Sequence, residues 1–338
     1  MLYFCGMAKY KYLVIRFSSI GDIVLTTPVL RMLKKRRPDA HIHFVTKKKY
    51  APLVLNNPYV HKVHVLDGSF PALIKELRAE GFDYVLDLHR NLRSFVIKSV
   101  LGEKTFTFDK LNWRKWLLVN FKINMLPPMH IVDRYLETLR ELGVKKDTKG
   151  LDFFIPKDIT LPASLEKVAV KDGFVALVCG AQHATKKIPI ARMVELCRMI
   201  TLPVVLVGGE DEHEQGSEVA RICNNVHNAC GILNIYQSAM LVGRAKAVVA
   251  HDTGLMHIAA ALKKDIVSVW GNTVPEFGMY PYFAGGRSKI FEVKNLRCRP
   301  CSKIGFDECP KRHFRCMNDI NYKEVAGYVN ALAATGEK

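Results

Sequence analysis

The chain alternates short apolar runs with longer stretches in which apolar residues recur at helical spacing, and it does so twice. Short runs rich in β-branched and aromatic residues are typical of buried strands, and the longer periodic stretches are typical of amphipathic helices. The first half predicts strands at Lys11–Phe17, Ile42–Val45, Val63–Leu66 and Tyr84–Leu88 and helices at Ile23–Arg37, Pro71–Glu80 and Asn91–Leu101. The second half predicts strands at Phe174–Val178, Val204–Val207, Ala247–Ala250 and Ile266–Val269 and helices at Ile190–Met199, Glu212–Cys223, Ile235–Ala245, Gly254–Leu262 and Tyr322–Ala334.

This alternation is typical of α/β domains whose parallel sheets are covered by helices on both faces. A length of 338 residues favours two such domains. The polar stretch Lys145–Gly150, with Pro156 and Pro162 after it, places the boundary near residues 145–172. The predicted parts are a first domain at 1–160, a second domain at 161–320 and a C-terminal helix at 321–338. Doubly wound domains bind ligands at the carboxyl ends of their strands, so we expect the functional residues just after each strand, facing a cleft between the domains.

The charge is high and uneven. The chain has 50 basic and 32 acidic residues, a net charge of +18, of which +13 falls in residues 1–165. A first half this basic is expected to attract nucleic acid, an anionic membrane surface or an acidic substrate, unless the charge serves solubility alone.

The sequence indicates a cytoplasmic protein that could rest on a membrane surface. No apolar run approaches the roughly 18 residues of a membrane-spanning helix. The start, Met1–Cys5, is mildly apolar but has no basic residue before it, so we do not interpret it as a secretory signal. Nine cysteines, an odd number with several in strand-like segments, favour a reducing compartment.

The segment Ser18–Asp22 (SSIGD) follows the first predicted strand and opens a helix. Asp22 is either a helix cap or a carboxylate that faces the cleft and takes a proton from a hydroxyl. Arg16 stands in a buried run, where a charge must be paired or must reach the cleft, and we favour contact with an anionic ligand.

Two loops of the second half could serve phosphate chemistry. The loop Cys179–Pro189 combines small residues, the hydroxyl of Thr185 and two lysines before a helix, so it could cradle a phosphate or be a solvated basic loop. It does not match the Walker A pattern. Glu212 follows the next strand, where a carboxylate can meet a ribose hydroxyl or simply favour the first turn of a helix.

The segment His251–Ala261 joins a strand to a helix of small residues. Thr253 and Gly254 would present free N–H groups at the helix N-terminus, which is a ready anion site, and His257 lies about one turn further on. The alternative is structural: Asp252 caps the helix, and His257 is a core histidine.

These motifs, in this order, resemble glycosyltransferase family 9, the ADP-heptose:lipopolysaccharide heptosyltransferases, over roughly residues 10–320. The resemblance is carried by Ser18–Asp22, Asp87–Ser94, Lys186–Pro189, Gly208–Gly209 with Glu212, and Asp252–His257. It implies two Rossmann-like domains of the GT-B type and inverting transfer of heptose from ADP-heptose to the inner core of lipopolysaccharide.

The resemblance also implies roles for individual residues. Asp22 would be the general base, with Arg16, Ser19 and Arg93 expected to contact an anionic acceptor. The expected donor-binding residues are Thr185, Lys186, Glu212, Leu233, Asp252, Thr253, Gly254 and His257. Glu212 would meet the ribose and Leu233 would border the adenine. Ile188 departs from the family pattern, which often has an aromatic residue at that position.

No cofactor and no metal ion are expected. The chain has no D-x-D triplet, so fixed positive charge and backbone donors would stabilise the departing diphosphate.

Four cysteines, Cys298, Cys301, Cys309 and Cys316, lie in a loop rich in Lys, Arg and Pro. They could bind a structural zinc ion, form a disulfide or remain reduced thiols that pack a local loop.

The joint presence of Asp22 and Lys186 argues against a relative of the same fold without activity. Two further alternatives to the heptosyltransferase remain open. One is a family member with another nucleotide sugar or another acceptor. The other is a basic nucleic-acid-binding protein that uses the cysteine loop, although no recognised reader motif is present and we do not expect nucleic acid as a partner.

Overall fold

A computed structural model describes residues 10–170 and 173–335. The chain forms two compact units, each made of two segments. The first unit contains Met1–Lys110 and Ile131–Phe154, and the second contains Leu111–His130 and Ile155–Lys338. The expectation about Met1–Cys5 lies outside the described residues.

The two units contain parallel strands and the helices that cover them. The strands are β1 (Lys11–Ile15), β2 (His41–Lys47), β3 (Lys62–Leu66), β4 (Tyr84–Asp87), β5 (Lys104–Thr107), β6 (Val175–Val178), β7 (Val204–Val207), β8 (Val226–Asn228), β9 (Ala247–His251), β10 (Ile266–Trp270) and β11 (Lys289–Glu292). The helices are α1 (Ile20–Val24), α2 (Thr27–Arg36), α3 (Pro52–Leu55), α4 (Phe70–Glu80), α5 (Leu92–Leu101), α6 (Asn112–Phe121), α7 (Ile131–Leu136), α8 (Ala163–Val170), α9 (Ile190–Met199), α10 (His213–Ile222), α11 (Ile235–Arg244), α12 (Gly254–Ala261), α13 (Arg315–Asn318) and α14 (Tyr322–Ala334).

The sheet of the first unit has the strand order β3-β2-β1-β4-β5, and all neighbouring strands are parallel. Leu13 and Ile15 of β1 are completely buried, and they belong to one core cluster with Leu73 and Leu77 of α4 and Ile97 of α5. Because β1 is central and covered by helices, its sequence is a continuous apolar run rather than an alternating one.

The sheet of the second unit has the order β11-β10-β9-β6-β7-β8 and is also entirely parallel. All residues of β6, β7, β9 and β10 are buried. Met193 of α9 and Val325 of α14 pack in the same core cluster as Leu177 and Leu206 of the sheet. The C-terminal helix α14 therefore completes the core of this unit.

The predicted α/β class is confirmed, and the strands and helices predicted from periodicity are present. The stretch predicted as one helix at Ile23–Arg37 is divided into α1 and α2. Pro28 lies in the first turn of α2, and a proline there cannot donate the hydrogen bond that would continue the preceding helix. The hydroxyl of Thr26 donates to the carbonyl of Ile23 over 2.7 Å and closes the end of α1.

Three strands that the pattern does not predict, β5, β8 and β11, all lie at sheet edges. Each buries a single side chain and contains at most two apolar residues, so the apolar signal of a strand is weak.

The segment Leu111–His130 falls within the sequence range assigned to the first domain and packs in the second unit. Leu118 of α6 is buried in one apolar cluster with Val274 and Phe277. In residues 10–170 and 173–335 we find no helix that combines the length and the apolar composition needed to cross a bilayer.

Candidate active site

The predicted donor residues of the second unit follow two strands that lie side by side in the sheet. β6 and β9 are neighbours, although β7 and β8 come between them in the chain. The strands that follow them, β7 and β10, lie on opposite sides of this pair. Such a switch point leaves a crevice outside the carboxyl ends of the two strands, which is the usual ligand position in this class of sheet. The loop Cys179–Pro189 and the segment Asp252–Gly254 begin there.

Lys186 and Asp252, from these two loops, form an ion pair. The Lys186 ammonium lies 2.6 Å from the Asp252 Oδ2, and the Thr273 hydroxyl donates to the same oxygen over 2.9 Å. Burial alone would raise the pKa of Asp252, but Lys186, His257 and the Thr273 hydrogen bond outweigh it and hold the pKa below its usual value. The carboxylate is therefore ionised, and it holds the lysine at the switch point.

The N-terminus of α12 lies beside this pair. Thr253 is the N-cap residue, and its hydroxyl donates to the carbonyl of Gly180 over 2.7 Å. The first backbone N–H groups of the helix, from Gly254 onward, have no acceptor within the helix and carry the positive end of its dipole. His257 is buried one turn further on, close enough to lower the pKa of Asp252. The lysine, the helix terminus and the histidine together offer hydrogen-bond donors to a phosphate group.

Glu212 is buried, and its carboxylate binds to groups of the neighbouring loops. Its carboxylate accepts from the Lys187 ammonium over 2.5 Å and from the Gly209 N–H over 2.9 Å. A Cβ at Gly180 would lie 3.0 Å from the Glu212 Oε2, so a side chain there would press on the carboxylate. The structure thus brings Glu212 to the loop that also carries Lys186.

Two predicted donor residues are placed differently. Thr185 is buried, and its hydroxyl is engaged with the backbone of Phe306, donating over 3.1 Å and accepting over 2.8 Å. Leu233 is half-buried and lies just before α11. Neither contacts the Lys186–Asp252 pair through a hydrogen bond, and their donor-binding roles stay predictions.

Asp22 and Arg16 meet at the equivalent point of the first unit, outside β1 and its neighbour β4. Arg16 Nη2 lies 2.8 Å from the Asp22 Oδ1, and the Ser19 hydroxyl and N–H donate to the Asp22 Oδ2 over 2.9 and 3.2 Å. Arg16 also donates to the carbonyl of Leu88 and to the Tyr135 hydroxyl, the latter over 3.1 Å. Arg16 is therefore paired inside its own unit, which answers why a charge stands in a buried run.

The surroundings of Asp22 control its ionisation. Burial raises the pKa of this carboxyl, but the Arg16 charge and the Ser19 hydrogen bonds outweigh it and leave the pKa below the usual value. The Asp22 side chain remains 21% exposed. A carboxylate that is ionised and open to solvent can accept a proton from a hydroxyl that approaches it.

Comparison with known proteins identifies the chain. The family described as Glycosyltransferase family 9 (heptosyltransferase) matches residues 70–309. The chain belongs to glycosyltransferase family 9. It is therefore a glycosyltransferase, and heptosyl transfer is its family-level activity.

Individual relatives of this family 9 enzyme share low identity over most of its length. Lipopolysaccharide heptosyltransferase 2 of Salmonella typhimurium is 26% identical over 303 residues, which cover 79% of this chain and 84% of the relative. The crystal structure of a family 9 glycosyltransferase from Veillonella parvula superposes with a TM-score of 0.77 at 21% identity, covering 96% and 97% of the two chains. The Escherichia coli ADP-heptose lps heptosyltransferase II gives 0.69 at 21% identity, with 96% and 98% covered. These likenesses confirm the predicted GT-B type fold.

Several residues around the family 9 site were not predicted. Lys110 lies close enough to Arg16 and Asp22 to affect them electrostatically, and burial together with the Arg16 charge lowers its pKa. His89 lies beside the same pair, and burial lowers its pKa to about 4. Tyr135, the hydrogen-bond partner of Arg16, is also new. Lys110 and Tyr135 are far from Arg16 in sequence, so no local motif indicates them, whereas His89 lies within the Asp87–Ser94 motif but was not singled out as a site residue.

Arg93 and the cysteines complete the account of the predicted sites. Arg93 is exposed in the first turn of α5, and no hydrogen bond links it to Asp22.

The four cysteines of the predicted loop are free thiols: Cys298, Cys301 and Cys309 are partly exposed, and Cys316 is buried. Among the described residues, the sulfur atoms do not form a group of three metal-ligand atoms within 4.8 Å of one another. Cys298 instead has the His313 Nε2 as a neighbour at 3.8 Å.

Proposed function

We propose that this enzyme transfers heptose from ADP-heptose to a sugar of the lipopolysaccharide inner core with inversion at the anomeric carbon. The observation that carries the proposal is the meeting of Lys186, Asp252 and the N-terminus of α12 at the switch point of the second sheet. The Salmonella typhimurium relative is named a lipopolysaccharide heptosyltransferase, which supports the heptosyl group and the acceptor, and the Escherichia coli structure named ADP-heptose lps heptosyltransferase II supports the donor.

The second unit would bind the donor. Lys186 and the first N–H groups of α12 would take the diphosphate, with His257 one turn along the same helix. As the bond between the anomeric carbon and the diphosphate oxygen breaks, its electron pair stays on that oxygen, and the lysine and the helix dipole stabilise the new charge. Asp252 would hold Lys186 in place before the donor arrives. In this proposal Glu212 meets the ribose, Leu233 borders the adenine, and no metal ion takes part.

The first unit would activate the acceptor. The acceptor hydroxyl attacks the anomeric carbon from the face opposite the diphosphate, and Asp22 takes its proton. Arg16 keeps Asp22 ionised in the free enzyme but also makes it a weaker base. A phosphate or carboxylate of the acceptor would compete with Asp22 for Arg16 and so raise the basicity of Asp22 as the acceptor binds. Lys110 and the exposed Arg93 would add positive charge for the same anionic acceptor.

We further propose that the enzyme works in the cytoplasm at the inner face of the inner membrane and attaches through α6. Trp113 is 66% exposed and Phe121 is 59% exposed, and Trp116 stacks on Trp113 with a ring separation of 5.0 Å. Arg114 is exposed on the same helix and Lys122 directly follows it. Exposed indole rings beside basic residues fit the interface of an anionic bilayer.

Calorimetric titration with ADP, UDP and GDP in the presence of EDTA tests the donor half of the proposal, and a transfer assay from ADP-heptose to heptose-deficient lipopolysaccharide tests the whole. We expect ADP to bind selectively without added metal and heptose to be transferred. Selective binding of UDP or GDP would retain the family activity but replace the donor. Binding that disappears on adding EDTA would contradict the metal-independent mechanism.

A further inference from the structure

Four histidines lie together in the first unit: His41 and His43 are on β2, His64 is on β3, and His61 directly precedes β3. β2 neighbours β1 in the sheet, but His41 pairs with Lys11 at the start of β1, whereas the loop of Asp22 follows the end of β1. The His41 and His61 rings stack with centroids 4.2 Å apart, and the His43 and His64 rings lie 5.2 Å apart with nearly parallel planes. β3 is an edge strand, and α4 packs against it. Neither the donor residues nor Asp22 contact this cluster, so the proposed transfer reaction does not account for it.

Two of these imidazoles and one carboxylate offer converging ligand atoms. His43, His64 and Glu80 each place one such atom within 4.8 Å of the other two. The His43 Nδ1 lies 2.9 Å from the His64 Nε2 and 3.9 Å from the Glu80 Oε2, and the His64 Nε2 lies 4.0 Å from the Glu80 Oε1. Tetrahedral zinc with ligands at ~2.0–2.1 Å separates its ligand atoms by about 3.3 Å, so shifts of about half an ångström would suffice.

Glu76 holds His64 by the ring nitrogen that would not bind the metal, as is usual for histidine ligands. The Glu76 Oε1 lies 2.5 Å from the His64 Nδ1. An ionised carboxylate can only accept, so His64 Nδ1 carries the proton and His64 Nε2 presents its lone pair to His43 and Glu80. Metal-bound histidines almost always donate their second ring N–H to a carboxylate, a carbonyl or water in this way.

The pair of imidazoles is screened from solvent. His43 is 2% exposed and His64 is completely buried, and the Phe82 ring meets the His43 ring edge-on at 5.2 Å. The His43 Nε2 has no hydrogen-bond partner among the described residues, so no second contact determines which of its nitrogens carries the proton. If an ion binds between the two imidazoles, the His43 Nδ1 must give up its proton and become a ligand. The His43 Nε2 can then carry that proton.

From this geometry we propose that His43, His64 and Glu80 form a binding site for one divalent transition-metal ion with the ligand preference of Zn²⁺, and that Glu76 orients His64 within it. Two neutral imidazoles and one carboxylate suit zinc, and a fourth position remains for water. Because the ion would tie α4 to β2 and β3, its effect would be to stabilise the edge of the first sheet.

Two lysines compete with the ion for Glu80. The Lys62 ammonium lies 2.6 Å from the Glu80 Oε1 and 3.7 Å from the Glu76 Oε1, and the Lys11 ammonium lies 3.7 Å from the Glu80 Oε2. Both lysines are partly exposed and can swing into solvent. The proposal therefore predicts that removing the Lys62 charge tightens metal binding, an effect that a purely structural role of Lys62 would not produce.

Titration of the EDTA-treated, dialysed full chain with Co²⁺, followed by visible absorption and by displacement with Zn²⁺, tests the site. We expect saturation at one ion per chain, with the absorption of nitrogen and oxygen ligands and without a thiolate-to-cobalt charge-transfer band. Glu80→Gln should weaken the affinity at least about tenfold, and Glu76→Gln by about tenfold. Glu103→Gln, an exposed carboxylate of the same unit, should leave it unchanged, and Lys62→Met should increase it.

Glu80 is the last residue of α4 and partly exposed, so Glu80→Gln should fold even if substitutions at the buried histidines do not, and circular dichroism checks this. Cobalt absorption that appears only with the thiolate band would assign the ion to the cysteine loop and overturn the proposal. Equal affinities of Glu80→Gln and Glu103→Gln would overturn it as well, as would the absence of binding at one equivalent.

Discussion

Asp22 combines two requirements that oppose each other in a general base. It must be ionised before the acceptor arrives, and it must be basic enough to take a proton during attack. Arg16 and Ser19 satisfy the first requirement by stabilising the carboxylate. The same contacts reduce its basicity, so an acceptor that binds Arg16 would improve the base at the moment of its use.

Replacing Asp22 by Asn removes the base and keeps the shape of the side chain. We expect turnover to fall about a hundredfold or more, the usual contribution of a positioned base. The ADP affinity should stay unchanged, because the proposed nucleotide contacts belong to the second unit. Rates of heptose transfer and calorimetric titration with ADP measure the two effects. Asp67→Asn, an exposed carboxylate of the first unit, is the control, and a near-wild-type rate for Asp22→Asn would leave Asp22 with only a structural role in the capping box of α1, whose N-cap residue is Ser19.

Arg16→Gln should move the acid limb of the pH–rate profile to higher pH. The Arg16 charge lowers the pKa of Asp22, so its removal raises that pKa, and the carboxylate becomes protonated at a higher pH than in the wild type. The profile of kcat/KM for the acceptor measures this shift. Arg93→Gln should raise the KM for the acceptor without moving the acid limb, because Arg93 makes no hydrogen bond to Asp22. An unmoved limb in Arg16→Gln would mean that Asp22 is not the group whose ionisation limits the rate.

Lys186→Ala should weaken donor binding or slow the departure of the diphosphate. Either effect should lower kcat/KM for ADP-heptose about tenfold to a hundredfold. That range corresponds to the loss of one hydrogen bond to a charged group, ~1.5–3 kcal/mol. Initial-rate kinetics with the donor varied give this ratio. The exposed Lys157→Ala serves as the matched control. Kinetics of Lys186→Ala that equal those of this control would place Lys186 outside the donor site.

Local sequence predicts residues that act within one loop and misses those that come from elsewhere. Asp22, Lys186 and Asp252 each follow a strand and stand in a short motif, and the structure places all three at the switch points of the two sheets. Lys110 and Tyr135 reach Arg16 from elements that neither periodicity nor spacing connects to it. Long-range packing determines these partners, and one loop cannot encode it.

At the scale of elements, the number of buried apolar residues in a strand determines whether the sequence pattern predicts it. The central strands are mostly buried and mostly apolar and are predicted correctly, whereas the edge strands β5, β8 and β11 bury one side chain each and are not. The edge strand β3 also buries one side chain, but its partly buried Val63, Val65 and Leu66 make it recognisable. The sequence pattern does not predict helix α6 for a related reason. Leu118 is its one buried residue, and both of its tryptophans are exposed. A helix that exposes its aromatic residues has no clear apolar stripe on the inner side.

Trp113→Ser with Trp116→Ser in one variant should reduce binding to vesicles of phosphatidylglycerol and phosphatidylethanolamine at least about tenfold, the equivalent of ~1.4 kcal/mol. The variant loses the binding free energy that comes from the apolar contact of two indole rings with the bilayer interface. Vesicle sedimentation measures bound protein, and uncharged phosphatidylcholine vesicles test the electrostatic part. Leu55→Ser, another exposed apolar residue, should have no effect. If the double variant binds as the wild type does, α6 is not the attachment site.

At the scale of the molecule, buried neutral histidines should make the stability sensitive to acid. Burial lowers the pKa of His251, the last residue of β9, from 6.5 to about 4. Between these values the unfolded chain binds a proton that the folded chain does not, so the free energy of unfolding decreases as the pH falls through this window. At pH 5 the loss from this one group is roughly 2 kcal/mol.

His251→Gln should therefore flatten the pH dependence of the melting temperature of the second unit between pH 7 and pH 5, whatever its effect at neutral pH. Thermal melts followed by circular dichroism at several pH values measure the slope. His227→Gln, at an exposed histidine in β8, should retain the wild-type slope. Equal slopes in all three proteins would assign the acid sensitivity to other groups.

The passage of the chain between the two units has a consequence for how such enzymes can recombine. Because Leu111–His130 belongs to the second unit, the chain passes from one unit to the other after Lys110, after His130 and after Phe154. A hybrid of two relatives joined once near residue 155 would carry the α6 of one parent and the Val274 and Phe277 of the other, and so would mismatch the packing of Leu118. An exchange of acceptor specificity that preserves this packing needs three junctions, and a single crossover cannot supply them.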